Sequence, residues 1–301
     1  MIATLLLHVP AMAGPVASAL VRTGREGIVD ATVGAGGHAA LLLERLGPDG
    51  RVLGLDRDER ALELAQERIG GDARATLRRS RLRDLATTLD AAGWTGADGI
   101  LLDLGVSSMQ LDDAGRGFSF AHEGPLDLRM SPAEGGPTAA DLVNRLPEKQ
   151  LADVLYELGE ERASRRVARA IVDARRRARI ERTTELAEIV RRAVPFSRAD
   201  ARRIHPATRT FQALRIAVNG ELEELELGLD QALARLRPGG RIAVLAYHSL
   251  EDRIVKTRLR RAQEEGFRLV TRRPLRPDDV EVAENPRARS ARLRVAEKEA
   301  A

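Results

Sequence analysis

The chain has 301 residues, 43% hydrophobic and 31% charged, enough to bury the core of one large domain or two ordinary ones. It has no cysteine, which excludes disulfides and thiolate-ligated metal and suits a reducing cytoplasm. No apolar run approaches the roughly 18–20 residues of a membrane span.

Met1 to Met12 is apolar without a basic lead-in or cleavage pattern, so it reads as part of the folded protein. Gly27–Asp30 reads as a first strand. Ala39–Leu46 reads as a helix stopped by Gly47-Pro48-Asp49-Gly50. Arg51–Asp56 is a second strand, Glu59–Ile69 a second helix, Ala75–Arg79 a third strand and Gly99–Leu104 a fourth. This alternation is that of a parallel, doubly wound α/β sheet.

From about Leu111 to Ala213 the strands stop. A loop rich in glycine and proline, Gly115–Pro137, leads to helical patterns at Ala139–Arg145, Lys149–Leu158, Ala163–Arg179 and Thr184–Ala193. In the third, Ala163, Val167, Ala170, Ile171, Ala174 and Ala178 share one face. Arg162, Arg165, Arg166, Arg169, Arg176 and Arg177 lie largely off it, as either a solvated or an RNA-facing surface.

The α/β pattern then resumes. Leu222, Leu225, Leu229, Leu233 and Leu236 stripe a helix expected to end at Pro238-Gly239-Gly240. Arg241–Tyr247 is a strand, Glu251–Gln263 a helix, and Leu269-Val270 and Arg292–Val295 closing strands. The insertion is thus expected to leave the carboxyl end of the fourth strand, the end at which such sheets bind ligands.

Across the whole chain the net charge is +4, and among 49 basic residues only Lys149, Lys256 and Lys298 are lysine. Arginine forks suit phosphate contacts, although a GC-rich genome produces the same bias. Aromatic residues are 3% of the chain, which argues against an RNA-binding sheet that stacks bases.

Chemistry enters at Asp30-Ala31-Thr32-Val33-Gly34-Ala35-Gly36-Gly37-His38, between the first strand and the next helix. Glycines there permit a tight turn and close approach of backbone to a ligand. Asp30 is placed to meet the methionine ammonium of S-adenosylmethionine. Asp56, ending the second strand, is placed to accept ribose hydroxyls. NAD would use the same second acid, so the turn leaves both cofactors open. There is no G-x-x-x-x-G-K-[ST] phosphate loop. The histidines His8, His38, His122, His205 and His248 lack close metal-ligand spacing, so no metal site is expected.

The blocks from Asp103 onward are more specific. Asp103-Leu104-Gly105-Val106-Ser107-Ser108-Met109-Gln110-Leu111-Asp112 is followed by Arg116-Gly117-Phe118-Ser119-Phe120 and Gly124-Pro125-Leu126-Asp127-Leu128-Arg129-Met130. His205-Pro206-Ala207-Thr208-Arg209-Thr210-Phe211-Gln212, Val218-Asn219, His248-Ser249-Leu250-Glu251-Asp252-Arg253 and Asn285-Pro286-Arg287 follow in order. From His8-Val9-Pro10 to Leu293-Arg294, the chain resembles the bacterial 16S rRNA (cytosine(1402)-N(4))-methyltransferase family.

The resemblance implies a cytoplasmic enzyme that methylates the exocyclic amine of one cytosine in 16S rRNA of the 30S subunit or its precursor. It implies a Rossmann-like class I S-adenosylmethionine-dependent methyltransferase fold with an inserted all-helical domain. Residues 1–110 and 214–301 would bind cofactor, and 111–213 would recognise RNA. Family cofactor contacts map onto Gly36, Gly37, His38, Asp56, Asp103 and Gln110. Leu82 stands where the family usually has a phenylalanine, and Tyr247 replaces another before His-Ser-Leu-Glu-Asp-Arg.

The expected cofactor set is therefore Asp30, Gly34, Gly36, Gly37, His38, Asp56, Leu82, Asp103 and Gln110. Asp103 is expected either to accept from the target amine or to hold the cofactor. His205 and Ser249 are further catalytic candidates. Arg209, Asp252 and Arg253 are candidates for substrate contact, the bland alternative being that such residues brace the insertion. A methyltransferase of another acceptor and an NAD-dependent oxidoreductase are the competing functions.

Overall fold

The computed structural model describes residues 10–194 and 205–300; His8 and Val9 of the first motif lie outside them. Contacts divide the chain into two compact units, Met1–Gly105 with Leu222–Ala301, and Val106–Glu221. The inserted unit thus begins five residues before the expected boundary and ends eight after it.

Among the described residues the first unit opens with α1 (Ala13–Leu20), β1 (Gly27–Asp30), α2 (Gly37–Arg45), β2 (Arg51–Asp56) and α3 (Glu59–Ile69). It continues through β3 (Ala75–Arg79), α4 (Leu85–Ala91) and β4 (Ala97–Asp103). The second unit carries α5 (Ser108–Asp112), α6 (Ala139–Arg145), α7 (Glu148–Gly159), α8 (Ser164–Arg175), α9 (Thr183–Ala193) and α10 (Thr208–Asn219). Then come α11 (Glu221–Arg235), β5 (Leu236–Ala246), α12 (Ser249–Ala262), β6 (Phe267–Leu269), α13 (Asp279–Glu284) and β7 (Arg292–Lys298).

The seven strands among the described residues form one sheet in the order β3-β2-β1-β4-β5-β7-β6. β1 pairs in parallel with β2 and β4, β2 with β3, and β4 with β5; β7 alone runs against its neighbours. The period of two sends alternate residues to opposite faces. Val29, Leu53, Ile100, Leu102 and Val244 pack on one face under Leu85, Leu89, Leu229 and Val255. Ile28, Val52, Leu101, Leu245 and Val295 pack on the other under Val16, Leu20, Leu42 and Ile69. Helices therefore cover both faces, which is why the strands read as apolar runs. Winding reverses between β1 and β4, and a doubly wound sheet binds its ligand at the carboxyl ends of such a pair.

One boundary differs from expectation. The helix striped by leucines stops at Arg235, and Leu236 already pairs with Ala97 as strand. Because the next pair is Gly99 with Arg241, Pro238-Gly239-Gly240 lies in a bulge inside β5 and is not a helix terminator. Long-range bonds override the local signal: Lys298 Nζ donates to the Leu236 carbonyl at 2.9 Å, and Arg237 pairs with Asp98 at 3.1 Å.

The second unit has its own core, with Leu151, Leu155, Val167, Ile171, Leu186, Val190 and Leu214 buried together. Its long loop is held by Asn219, which is 4% exposed. Asn219 Oδ1 accepts from the Met130 amide at 2.7 Å, and Nδ2 donates to the Leu128 and Arg215 carbonyls at 2.8 Å each. Leu128 sits at φ 65°, a left-handed conformation costly for a leucine. Asn219→Ala is expected to cost about 2–4 kcal/mol, because buried backbone groups lose their partners. Chemical denaturation measures it, and wild-type stability in the variant would show that the clamp contributes nothing. No helix among the described residues is long and apolar enough to cross a membrane.

Candidate active site

The turn after β1 is built before any ligand arrives. Gly34 and Gly36 adopt φ of +53° and +80°, which glycine reaches without the steric cost of a side chain. A Cβ added to Gly36 would lie 3.4 Å from the Ala65 Cα, so the close approach to α3 also favours glycine there. The Gly34 amide donates to Asp56 Oδ2 at 2.9 Å, and the Asp58 amide to Asp56 Oδ1 at 2.9 Å. Thr32 Oγ1 accepts from the Asp103 amide at 2.7 Å, tying this turn to the end of β4. Gly36 is the N-cap of α2 and supplies no side chain to cap it.

Asp30, His38, Asp56 and Asp103 are brought into one electrostatic neighbourhood. Asp30 is 1% exposed, and its Oδ2 has no hydrogen-bond partner. Burial pushes the Asp30 carboxyl up to about 7, against the attraction of His38. Burial likewise raises Asp56 to about 6, although the backbone amides of Asp58, Gly34 and Arg57 bond to it. Burial opposes charge on His38, but Asp103, Asp30 and Glu281 outweigh it and raise its pKa. His38 Nε2 lies 3.4 Å from Asp103 Oδ2, at ion-pair distance but without hydrogen-bond geometry.

Asp103 Oδ1 accepts from the Tyr247 hydroxyl at 2.7 Å. Burial, then the Asp103 charge, hold the Tyr247 pKa well above its ordinary value, so its hydroxyl remains a donor. Sequence reasoning noted Tyr247 only as a replacement and assigned Thr32 no role. Their one signal was position beside strand ends, since both bonds join residues far apart in sequence.

The remaining candidates separate. Leu82 opens a short turn after β3 and packs where α11 comes close; a Cβ on Gly228 would meet the Leu82 Cβ at 2.8 Å. Ser249 is the first residue of α12 and half-buried, and Arg253 is exposed on the same helix. His248 and Glu251 form that helix's capping box. Gln110 is buried and closes the capping box of α5 with Ser107. His205 is exposed, with its ring 4.7 Å from that of Phe120 and its Nδ1 accepting from the Ala207 amide. Arg209 is exposed and donates to the Glu160 carbonyl at 3.3 Å. Gln110, His205 and Arg209 belong to the second unit, the others to the first.

Asp252, expected as a candidate substrate contact, is engaged within the first unit as a brace. Its Oδ1 accepts from Arg294 Nε at 2.7 Å and its Oδ2 from Arg292 Nη1 at 3.0 Å, tying α12 to β7. Burial works to raise its pKa, but the two arginines prevail and lower it. A depressed carboxylate contributes stability above the ordinary aspartate range, and that contribution is lost as pH falls through it. Asp252→Asn is expected to destabilise the fold by about 1–3 kcal/mol while leaving cofactor affinity unchanged. Paired thermal melts and cofactor titrations check this; a loss confined to affinity would return Asp252 to the site.

The site fits a cofactor that carries positive charge. An orphaned, buried Asp30 oxygen among further carboxylates suits a cationic donor, and the uncapped start of α2 suits a carboxylate. Residues 5–299 match the MraW methylase family model. A protein named Ribosomal RNA small subunit methyltransferase H from Syntrophobacter fumaroxidans is 49% identical over 313 residues, covering 98% of this chain and 97% of its own. One of the same name from Deinococcus deserti is 51% identical over 294 residues, covering 97% and 94%. Among solved structures, a putative methyltransferase from Streptococcus mutans in complex with SAH aligns at TM-score 0.45 and 12% identity, covering 95% of this chain and 94% of that one; that likeness is too distant to bear on function. The NAD-dependent alternative falls away: this chain belongs to the MraW methylase family, and it is an S-adenosylmethionine-dependent methyltransferase.

Proposed function

We propose that the enzyme methylates the exocyclic N4 of cytosine 1402 in the 16S RNA of the small ribosomal subunit, acting in the cytoplasm on the 30S subunit or its precursor. The observation that carries the substrate is identity near 50% over almost the whole length of proteins named for small-subunit ribosomal RNA methylation.

Bound to this chain, S-adenosylmethionine supplies an electrophilic methyl group. Asp30 would hold its ammonium, the start of α2 at Gly36, Gly37 and His38 its carboxylate, and Asp56 its ribose, with Leu82 and Gln110 as further contacts. Gly34 contributes by aiming its amide at Asp56. The cytosine amine is a poor nucleophile because its lone pair is delocalised into the ring, so it must be held in line and must lose a proton as the N–C bond forms. Asp103, fixed by the Tyr247 hydroxyl and flanked by His38, is the carboxylate suited to accept from that amine. It is equally suited to hold the cofactor. His205 and Ser249 are proposed as further catalytic groups at the cytidine, and Arg209 and Arg253 as substrate contacts, with the second unit recognising RNA. The base must be unstacked to be reached, so partly assembled small subunits should be better substrates than a bare duplex.

Methyl transfer from labelled cofactor to small subunits, followed by nucleoside analysis, tests reaction and acceptor together. N4-methylcytidine is the expected product; label on protein, or on another nucleoside, would overturn the assignment.

A further inference from the structure

The solvent face of α8 and the residues flanking it are unusually rich in arginine. Arg162, Arg165, Arg166, Arg169, Arg176 and Arg177 are all exposed. Arg169 lies 3.5 Å from Glu148, and Arg176 lies 2.9 Å from Asp173. Exposed pairs of this kind hold little energy and open readily. Among the described residues, Arg162, Arg165, Arg166 and Arg177 have no ion-pair partner.

An open cleft of about 390 Å³ lies between α8 and α9, lined by Arg166, Arg169, Ala170, Asp173, Arg192 and Ala193. Its lining brings together three arginines and one acid, and Arg192 already shares Glu188 with Arg191. No aromatic or large aliphatic side chain lines it, so the cleft offers neither a stacking platform for a base nor an apolar anchor for a peptide. What it offers is planar, permanently charged forks over about three helical turns, a chemistry that matches repeated phosphates.

We infer that the arginine face of α8, with its cleft against α9, is a track for the sugar–phosphate backbone of the RNA substrate, contacting several phosphates without reading the bases. This rests on the ribosomal RNA reading above. A solvated helix face would need no such clustering of unpaired arginine beside a concave wall, and an acidic peptide would find only the small side chains of Ala170 and Ala193 to pack against.

The test compares the full-length enzyme with R162A/R165A/R166A/R177A. The substitutions lie at exposed positions, and alanine is at least as good a helix former as arginine. Binding of a labelled single-stranded RNA, cut from the small-subunit RNA around the target cytosine, is measured across a salt series. Each lost phosphate contact lowers the magnitude of the log–log salt slope by about 0.7, so a fall of about 2–3 is expected. KM for small subunits should rise at least tenfold, with kcat within twofold and S-adenosylhomocysteine affinity unchanged. R165E/R166E should weaken RNA binding further, and its circular dichroism spectrum and melting curve report whether the fold persists.

A wild-type salt slope and KM in the quadruple variant would overturn the track, as would polyglutamate displacing the RNA at equal charge concentration. An enzyme that methylates a different acceptor, while the quadruple variant still loses the salt slope, would refute the function and support the track. Wild-type protein that binds no small-subunit RNA would sink both.

Discussion

Asp103→Asn is expected to lower kcat/KM for methyl transfer by about 10²–10⁴-fold. Asparagine has nearly the same shape, and its carbonyl oxygen can still accept from the Tyr247 hydroxyl that now lies 2.7 Å away. The negative charge disappears, and with it a principal cause of the raised His38 pKa. The two roles open to Asp103 then separate. If it accepts from the amine, kcat falls while S-adenosylhomocysteine binds as before. If it holds the cofactor, the dissociation constant rises in step with the lost rate. Full rate together with full affinity in Asp103→Asn would remove both roles.

Asp30→Asn should act on binding and on stability in opposite directions. Removing the carboxylate from a buried, charge-assisted contact costs about 2–5 kcal/mol, so affinity for S-adenosylmethionine should fall at least thirtyfold. S-adenosylhomocysteine should weaken similarly, because both carry the ammonium. In the unliganded protein the same carboxylate is a liability. Its pKa is raised from 3.8 to about 7, so between those values the folded state holds a proton that the unfolded chain has lost. Stability then falls as pH rises through that window, by on the order of 4 kcal/mol. Asp30→Asn should flatten most of this slope. Part should remain, because Asp56 is also raised, to about 6. Urea unfolding of the unliganded protein from pH 4 to 8 reads it directly. A wild-type protein equally stable at both ends would refute the account of Asp30 as a buried acid awaiting a cation.

The parts of the site legible in the sequence are those that strand periodicity places. Asp30, Asp56 and Asp103 each end a strand of the parallel sheet, and the glycine turn follows the first of them. Strands at Arg51–Asp56 and Ala75–Arg79 and the helix at Glu59–Ile69 have the expected limits, because local pattern and tertiary packing agree there. Where they compete, packing wins. The helix expected over Ala163–Arg179 spans Ser164–Arg175, and just beyond it Asn144 captures both the amide and the carbonyl of Ile180. Asp252 looked like the rest of its motif, and nothing local announces that Arg292 and Arg294 will take both its oxygens. The short helix at Ala13–Leu20 escaped notice because no side chain caps it and its small residues carry little helical periodicity.

The order of the strands also sets a timetable for synthesis. β4 ends at Asp103, but its parallel partner β5 starts only at Leu236, after the whole second unit. At about 5–20 residues per second, a ribosome needs on the order of ten seconds to supply it. Through that interval Ile100, Leu101 and Leu102 belong to an edge strand with an open row of amides and carbonyls, the arrangement most prone to pair with another chain. The second unit has a buried core of its own and can condense while β4 waits. The long excursion therefore separates nascent chains into an early half-sheet and a late one, and makes closure of β4 against β5 the non-local and slow step of folding.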